Sequence, residues 1–449
     1  MDVAGKKVTL VGMGKTSIAL ARLLKHLGAN PFVTECRLRD DCAEFAGLFE
    51  SEGVPFEYGG HTDAALLDTH LVIPSPGVPP NIPMLKEALD AGLTMMSELE
   101  FAFRFSTSKL VAITGTNGKT TTTELLAHLF ISCGLDAVLA GNNESPFSSV
   151  VTGDAQPDYV ILEVSSYQLE LVDQFRPYVA SVLNISNDHL GRHGTMESYS
   201  ATKARIFARQ QGDDIAILNT DNAVVSSMAD SISGNIVLFG TSGDADVVLD
   251  GDNLLVQGQV VARRSDSPLP GRHNTENILA ALAVMSVFDA DWSKVCEELK
   301  TFGGVEHRIE KVADLNGVSY YNDSKSTNLD SLKVALESFD RGILLIAGGE
   351  GKGDDYSVLS ELIQSRVKQI VAIGADADAI CAAWGEYAQT CIVDSMDAAV
   401  AKVHEAARPT DVVLLSPACA SFDMYTNFEE RGADFKRCVR MITSNKVQA

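Results

Sequence analysis

The chain has 449 residues, of which 45% are hydrophobic, and its 36 basic and 60 acidic residues give a formal net charge of −24. This length suggests two to four domains, and the hydrophobic share is ordinary for globular proteins with real cores. The acidic balance argues against broad binding of nucleic acid or anionic membranes, so a bound anion must be held by local cations and backbone N–H groups.

The N-terminus reads MDVAGKKVTLVGMG and lacks the charged start, apolar centre and cleavage site of a signal peptide. No apolar run reaches the length of a membrane span. The eight cysteines are scattered, without a CxxC pair, which favours reduced thiols over a disulfide framework or a zinc site. We therefore expect a cytoplasmic protein.

The first predicted domain, residues 1–97, begins with the strand KVTLVG, followed by Gly12-Met13-Gly14 and a helix that Thr16 or Ser17 is expected to cap. This is a truncated GxGxxG pattern, and Glu35 lies about where a Rossmann-like fold places an acid that binds ribose hydroxyls. The pattern leaves open a different class of protein, an NAD-dependent oxidoreductase, although no nicotinamide site or hydride acceptor is recognisable.

The second predicted domain, residues 98–303, carries the strand KLVAIT, then Gly115-Thr-Asn-Gly-Lys-Thr120, then a helix. Glycines let the backbone wrap an anion, Lys119 can span the β- and γ-phosphates, and the Thr120 hydroxyl can bind Mg²⁺. Ile113 replaces the first glycine of the usual phosphate loop. The context still predicts a P-loop ATPase domain with a mostly parallel sheet and a small antiparallel patch. A non-enzymatic nucleotide switch remains an alternative.

Polar side chains follow two further strands of this domain. Glu163 ends the strand YVILE, and Asn187-Asp188-His189 follows the next predicted strand. Parallel strands present their carboxyl ends at one edge of a sheet, so these groups are expected beside the phosphate loop, where they can hold Mg²⁺. Lys203 lies on a later helix, and the sequence alone predicts an exposed lysine there.

The third predicted domain, residues 304–449, follows Phe302-Gly303-Gly304 and contains the strands ILLIAGG, IVAIG and VVLLSP with helices between them. This alternation again predicts a Rossmann-like domain. The segment Gly348-Gly-Glu-Gly-Lys352-Gly follows a strand and could be a second phosphate loop. The fold class predicted for the whole chain is therefore α/β with three domains.

Motifs in all three predicted domains resemble those of the Mur ligases and the related folylpolyglutamate synthases. The resemblance is carried by AITGTNGKTT, by the GNxxxP-like segment from Gly141, and by YxxxKxxI from Tyr199. HNxxN from His273, His307-Arg308, NDSKSTN from Asn322, and SPACAS with NFEERG near the C-terminus continue it. Within the family, the last stretch resembles the D-glutamate-adding members. Two positions depart from the family pattern: Gly191 stands where an aspartate is frequent, and Glu144 replaces a glycine.

The resemblance implies an ATP-dependent carbon–nitrogen ligase of peptidoglycan precursor synthesis, and hence a role in cell wall biogenesis, cell shape, cell division and the cell cycle. It implies ATP and two Mg²⁺ ions as cofactors. The substrates would be UDP-N-acetylmuramoyl-L-alanine and D-glutamate, joined through an acyl phosphate with release of ADP and phosphate. A monomer is expected. Another amino-acid specificity within the family, or a folylpolyglutamate synthase-like activity, remains an alternative.

The resemblance also assigns residues to catalysis, to metal binding and to three substrate sites. The catalytic group is Lys119, Glu163, His189 and Lys203. One Mg²⁺ would bind Thr120 and Glu163, and the other would bind His189 and Lys203 as a carbamate. ATP would be bound by Gly115, Thr116, Asn117, Gly118, Lys119, Thr120, Thr121, Asn274, Asn277, Arg308 and Asp323. The UDP–muramoyl group would be bound by Gly14, Lys15, Thr16, Glu35, Cys36, Arg37, Ser75, Pro76, Gly77, Asn142 and Ser165. The incoming amino acid would be bound by Lys325, Thr327, Lys352, Ser421 and Phe428.

Overall fold

The computed structural model describes residues 1–143, 145–153, 155–340, 342–351 and 353–445. The chain divides into two compact units, Met1–Arg264 with Glu276–Glu298, and Ser265–Thr275 with Leu299–Ala449. The strands within these described ranges form three β-sheets. Among the described helices, none combines the length and the apolar character needed to cross a membrane.

The first sheet has five parallel strands in the order β3-β2-β1-β4-β5. The strands are β1 (Lys7–Val11), β2 (Asn30–Thr34), β3 (Phe56–Glu57), β4 (Thr69–Pro74) and β5 (Thr94–Met95). The helices are α1 (Lys15–His26), α2 (Ala43–Ser51) and α3 (Pro83–Asp90), and α4 (Glu98–Phe103) follows the sheet. The alternation of strand and helix produces the parallel sheet, because each crossover returns the chain to the same edge.

The start of α1 differs from the prediction. Gly14 occupies the N-cap position, and no side chain in the described part of the chain caps the helix, so the expected cap at Thr16 or Ser17 is wrong. The Ser17 hydroxyl instead donates to the Gly12 carbonyl at 2.5 Å and lies 3.1 Å from Ser75 Oγ. Gly12 has φ +97°, a conformation that favours glycine. In this turn the Gly12 carbonyl lies within hydrogen-bond distance of the Ser17 hydroxyl.

The second sheet has nine strands in the order β14-β13-β12-β11-β10-β9-β6-β8-β7. Its strands are β6 (Lys109–Thr114), β7 (Ala137–Gly141), β8 (Tyr159–Glu163), β9 (Val179–Val182), β10 (Ile215–Asn219), β11 (Asn235–Gly240), β12 (Val247–Asp250), β13 (Asn253–Val256) and β14 (Gln259–Arg263). The β12–β13 and β13–β14 pairs are antiparallel and the others are parallel. The mostly parallel sheet with a small antiparallel patch is thus confirmed.

Helices connect or follow these strands. They are α5 (Lys119–Ser132), α6 (Phe147–Val151), α7 (Ser166–Leu169), α8 (Leu190–His193), α9 (Met196–Ala204), α10 (Ala223–Ser226), α11 (Arg272–Met285) and α12 (Trp292–Thr301). In the central strands β6, β8 and β9, nearly every residue is buried, as expected for a parallel sheet covered on both faces. This burial fixes the strand ends that carry the phosphate loop and Glu163.

The third sheet has six strands in the order β15-β16-β20-β17-β18-β19, with β15 antiparallel to β16 and the rest parallel. Its strands are β15 (Glu310–Leu315), β16 (Val318–Asn322), β17 (Ile343–Gly348), β18 (Val367–Ile373), β19 (Gln389–Ile392) and β20 (Val412–Leu415). Its helices are α13 (Leu329–Glu337), α14 (Ser360–Arg366), α15 (Ala377–Trp384), α16 (Met396–Ala406) and α17 (Phe428–Asn445). The α/β class is confirmed.

Candidate active site

The phosphate loop leaves β6 and enters α5 through two glycines with positive φ. Gly115 has φ +157° and Gly118 has φ +85°. A Cβ on Gly115 would lie 3.0 Å from Leu183 Cβ, so only glycine fits there without movement. The Thr116 and Asn117 N–H groups donate to the backbone and side-chain oxygens of Asn184, at 2.9 and 2.8 Å. The loop following β9 therefore holds the phosphate loop in shape.

Two lysines meet at this loop. The Lys119 and Lys203 ammonium groups each donate to the Gly115 carbonyl oxygen, both at 2.9 Å. Lys203 is 1% exposed, so the sequence-based expectation of an exposed lysine is wrong. Its Nζ also lies 3.2 Å from Thr114 Oγ1 and 4.9 Å from the centre of the Tyr199 ring, which comes from the same helix.

Burial and the loop cation change the protonation of Lys203. Burial lowers the pKa of Lys203 most, Lys119 lowers it further and Asp188 opposes them, which leaves it at about 7. A lysine in this range is partly a neutral amine at neutral pH, and a neutral amine is a nucleophile.

Glu163 ends β8 in register with Ile113 of β6, directly beside the phosphate loop. The side chain is 3% exposed, and Asn142 Nδ2 donates to its Oε1 at 2.9 Å. The other oxygen, Oε2, is buried and has no hydrogen-bond partner among the residues that the structure describes. An unpartnered buried carboxylate oxygen is costly unless a cation binds it, so the donor set fits a divalent metal ion.

His189 is the N-cap residue of the short helix α8 and has a left-handed conformation, with φ +53°. The Tyr167 hydroxyl lies 3.0 Å from its Nδ1, and Asp188 Oδ2 lies 3.3 Å from its Nε2. The ring is 44% exposed. Thr120 lies half-buried in the first turn of α5. Gly191, one of the two departures from the family pattern, lies in α8, whereas Glu144 falls outside the described residues.

A cavity of about 770 Å³ lies in the first unit, between the first sheet and the strand ends of the second. Ten of the eleven residues predicted to bind the UDP–muramoyl group line it: Gly14, Lys15, Thr16, Glu35, Cys36, Arg37, Ser75, Pro76, Gly77 and Asn142. Ser165 lies beside it, because its hydroxyl is 2.9 Å from the Oε1 atom of Gln168, which lines the cavity.

Glu35 shapes the wall of this cavity. Its carboxylate accepts from the Met13 N–H at 2.8 Å, the Arg37 N–H at 2.9 Å and the Arg37 guanidinium at 2.8 Å. Burial alone would raise the pKa of Glu35, but the bonds from Arg37 and Met13 outweigh it and hold the pKa at about 2. The carboxylate is therefore charged at neutral pH and fixes Arg37 at the cavity.

Sequence reasoning missed part of this cavity. His61 lines it and is placed by a contact of 2.8 Å between its Nδ1 and Thr34 Oγ1, for which the sequence carries no signal. An apolar wall was also missed, although the proline-rich stretch PSPGVPPNIP could have predicted a rigid surface. That wall consists of Met13, Val78, Pro79, Ile82, Pro83 and Pro146.

The residues predicted to bind ATP are distributed over both units. In the first, a Cβ on Gly118 would lie 2.2 Å from Asn277 Oδ1, so Asn277 abuts the phosphate loop. In the second, Asn274 lies inside the first turn of α11 and its Nδ2 donates to the Pro270 carbonyl at 2.7 Å. Arg308 is exposed there.

Asp323 is a buried carboxyl group of the second unit, at the end of β16. The Ser416 hydroxyl donates to its Oδ2 at 2.7 Å, and the Ile309 N–H donates to its Oδ1 at 3.2 Å. Burial raises the pKa of Asp323 to about 7, although Ser416, Arg308 and Ile309 oppose that rise. The side chain thus titrates near neutral pH.

Four of the five residues predicted to bind the amino acid are described in the second unit. Ser421 is buried, Thr327 is half-buried, and the exposed Lys325 has its Nζ 5.5 Å from the centre of the Phe428 ring. Lys352 lies outside the described residues. The structure brings Lys325 and Phe428 together at the strand-end edge of the third sheet.

Sequence reasoning assigned no role to Arg431, which is 1% exposed. Its guanidinium donates to the carbonyl oxygens of Cys419, Ala420 and Ser324 at 3.1, 3.1 and 2.9 Å, and to Ser324 Oγ at 3.0 Å. The side chain therefore ties the loop after β16 to the loop after β20. The only sequence feature that could have indicated this role is the position of Arg431 in the NFEERG segment, which resembles the family motif.

Comparisons with known proteins identify the family of this chain. Three family models match: "Mur ligase MurD-like, N-terminal domain" over residues 6–97, "Mur ligase middle domain" over 113–285 and "Mur ligase, glutamate ligase domain" over 307–419. The chain is 40% identical to the UDP-N-acetylmuramoylalanine–D-glutamate ligase of Geotalea uraniireducens, covering 98% of this chain and 99% of that protein. It is 39% identical to the protein of the same name from Clostridioides difficile, covering 97% and 98%.

Solved structures show the same fold. The UDP-N-acetylmuramate–alanine ligase MurC of Thermotoga maritima aligns with a TM-score of 0.59 at 18% identity, covering 98% of this chain and 99% of that one. The MurF ligase of the same organism, solved in complex with ADP, also gives 0.59 at 17% identity, covering 98% and 96%. By its three domains, its phosphate loop and its sequence identity to these relatives, the chain belongs to the Mur ligase family of ATP-dependent ligases.

Proposed function

We propose that the protein adds D-glutamate to UDP-N-acetylmuramoyl-L-alanine at the expense of ATP, giving ADP and phosphate, as a step of peptidoglycan precursor synthesis. The observation that carries the proposal is the meeting of Lys119, Lys203 and the buried Glu163 at one phosphate loop, next to the cavity lined by Lys15 and Arg37. The names of the full-length relatives support the choice of D-glutamate.

The reaction must bring two anions together. The alanyl carboxylate attacks the γ-phosphorus of ATP, and the bond from that phosphorus to the bridging oxygen breaks. ADP departs, and the alanyl group becomes an acyl phosphate. The glutamate amine then attacks the acyl carbon, and phosphate leaves as the amide forms. Lys119, held at the loop by the Gly115 and Thr116 carbonyls, supplies positive charge against the repulsion in the first step.

Magnesium would be held by Thr120 and Glu163 at one position, and by His189 and Lys203 as a carbamate at the other. When bound, Mg²⁺ would neutralise negative charge on the ATP phosphates. The first position is supported by Glu163 Oε2, which has no hydrogen-bond partner in the described part of the chain. The low pKa of Lys203 supports the second, because its neutral amine can attack carbon dioxide and lose a proton to give an anionic carbamate. Beside Lys119, that anion would replace a like-charge contact with an attractive one.

The three substrates would bind the residue groups that the family resemblance assigns to them. The UDP–muramoyl group would bind in the 770 Å³ cavity of the first unit. ATP would bind the phosphate loop, with Asn274, Asn277, Arg308 and Asp323 holding its other parts. D-Glutamate would bind Lys325, Thr327, Lys352, Ser421 and Phe428. We place the reaction in the cytoplasm and assign it to a monomer; all eight cysteines are free thiols, which suits a reducing compartment.

The test is ADP release by the purified protein with a panel of acceptors and amino acids. We expect release only with the UDP-muramoyl acceptor, ATP and D-glutamate together. Release with L-alanine, a diamino acid or a folate acceptor would assign a different ligase. An absorbance change with a nicotinamide cofactor would support an oxidoreductase. Lys119→Ala should abolish amide formation, and a variant that keeps it would contradict the role of the loop.

A further inference from the structure

Arg192 lies in α8, three residues after His189, and contacts the wall of the UDP–muramoyl cavity. Its Nη1 donates to the Val78 carbonyl at 2.8 Å. Val78 lines the cavity, and its own N–H closes the turn of Ser75-Pro76-Gly77 by donating to the Ser75 carbonyl at 2.9 Å. Arg192 therefore holds the far end of a turn that contains three of the predicted UDP-binding residues.

The same side chain is fixed on its other edge. Its Nε and Nη2 donate to the two carboxylate oxygens of Glu170 at 3.0 and 2.7 Å, and both side chains are largely buried, with 16% and 20% exposure. Its guanidinium lies 4.9 Å from the centre of the Tyr167 ring. A bidentate pair combined with a ring contact sets the guanidinium plane, which a lysine cannot reproduce.

Tyr167 completes the connection to the metal-binding candidate. Its hydroxyl lies 3.0 Å from His189 Nδ1 and orients the imidazole, so that Nε2, which contacts Asp188 Oδ2 at 3.3 Å, is the ring atom that would bind a metal beside that carboxylate. A continuous set of contacts thus runs from the Val78 carbonyl through Arg192 and Tyr167 to His189. Each contact in this set depends on a fixed orientation of its neighbour.

We propose that Arg192 is a positioning residue that couples filling of the UDP–muramoyl cavity to the orientation of His189 for metal binding. The inference rests on the proposed function, since it takes the cavity and His189 in those roles. Substrate bound in the cavity restricts the position of Val78. Because the Arg192 guanidinium is bonded to the Val78 carbonyl, its position and that of the adjacent Tyr167 ring are restricted as well. By thermodynamic linkage, the metal ion raises the affinity for the nucleotide substrate by the same factor.

The test measures binding, with Mn²⁺ used in place of Mg²⁺ so that free ion can be followed by electron paramagnetic resonance. The Mn²⁺ dissociation constant is determined with and without UDP-N-acetylmuramoyl-L-alanine, and the ratio is the coupling factor. The variants are Arg192→Lys, Tyr167→Phe and the double substitution. Arg209→Lys is the matched control, because Arg209 forms an exposed ion pair with Asp173, 2.8 Å long, elsewhere in the same unit.

In the wild type we expect a coupling factor of about fivefold or more. It should fall close to one in Arg192→Lys and in Tyr167→Phe, with no further loss in the double variant, and remain unchanged in Arg209→Lys. A wild-type ratio of one, or a wild-type ratio retained in both single variants, overturns the inference. Glutamate-dependent ADP release by the wild type is measured separately. If the coupling factor is one but ADP release still depends on glutamate, the inference is rejected and the proposed function is retained.

Discussion

Lys119 and Lys203 donate hydrogen bonds to one and the same backbone oxygen, that of Gly115, each at 2.9 Å. Two ammonium groups at one acceptor repel each other, and burial of Lys203 adds a desolvation penalty. Loss of the Lys203 proton relieves both. The arrangement therefore favours chemistry in which this lysine becomes neutral and then anionic.

The rate of carbamate formation on Lys203 should increase with pH. Its pKa of about 7 means that raising the pH from 6 to 8, at equal dissolved ¹³CO₂, increases the neutral amine about tenfold. The initial rate of label incorporation, followed by ¹³C NMR, should rise by about the same factor. Lys203→Arg should lack the resonance. Equal rates at the two pH values would contradict the low pKa.

Glu163→Gln should weaken metal activation without weakening the fold. Glutamine keeps an oxygen for Asn142 Nδ2 but loses the anionic charge beside the loop. We expect the Mg²⁺ concentration for half-maximal ADP release to rise at least about tenfold, and the unfolding temperature to stay equal or increase because a buried charge is removed. Asp158→Asn, exposed just before the other end of β8, is the control. Unchanged Mg²⁺ dependence would remove Glu163 from the metal site.

Asp323 should make the protein less stable as the pH rises from about 4 to 7. The folded carboxyl group, with a pKa of about 7, keeps its proton to higher pH than the unfolded one, so the folded state binds more protons in that window. The loss in unfolding free energy is at most about 4 kcal/mol by linkage. Urea unfolding at several pH values should show the unfolding free energy of the wild type decreasing with pH over this range. The decrease should be smaller in Asp323→Asn. The exposed Asp330→Asn should keep the wild-type slope.

Arg431→Lys should raise the KM for D-glutamate. A lysine cannot reach the Cys419, Ala420 and Ser324 carbonyls together, so the two loops that carry Ser421 and Thr327 lose their common anchor. Net loss of charge-assisted bonds of this kind costs about 1.5–3 kcal/mol of stability each. The KM for the UDP-muramoyl acceptor should change little, because its cavity lies in the other unit.

Arg437→Lys, on the same helix, is the control for that experiment, since Arg437 is 48% exposed and pairs with Asp397 and Asp434 at the surface. An equal rise of the KM values for all three substrates in Arg431→Lys would indicate general loosening of the fold and would reject the positioning role.

Much of the fold could be predicted because strand–loop–helix alternation is a local pattern. The parallel sheets and the antiparallel patch followed from it, and the phosphate loop followed from two glycines and a lysine at fixed spacing. The cap of α1 could not be predicted, because Ser17 turned to Gly12 and Ser75, and Ser75 lies far along the chain. Sequence spacing carries no information about such a partner.

The amino-acid sequence alone is enough to identify the reactive groups and the strand ends that bear them, because strand and helix periodicity is set by neighbours in the chain. The environment of these groups arises only when the chain folds. Lys203 is a buried neighbour of Lys119, and Arg431 joins two distant loops. One oxygen of Glu163 has no hydrogen-bond partner among the residues whose positions are described. Protonation and positioning depend on burial and on contacts between distant segments, and these exist only in the folded chain.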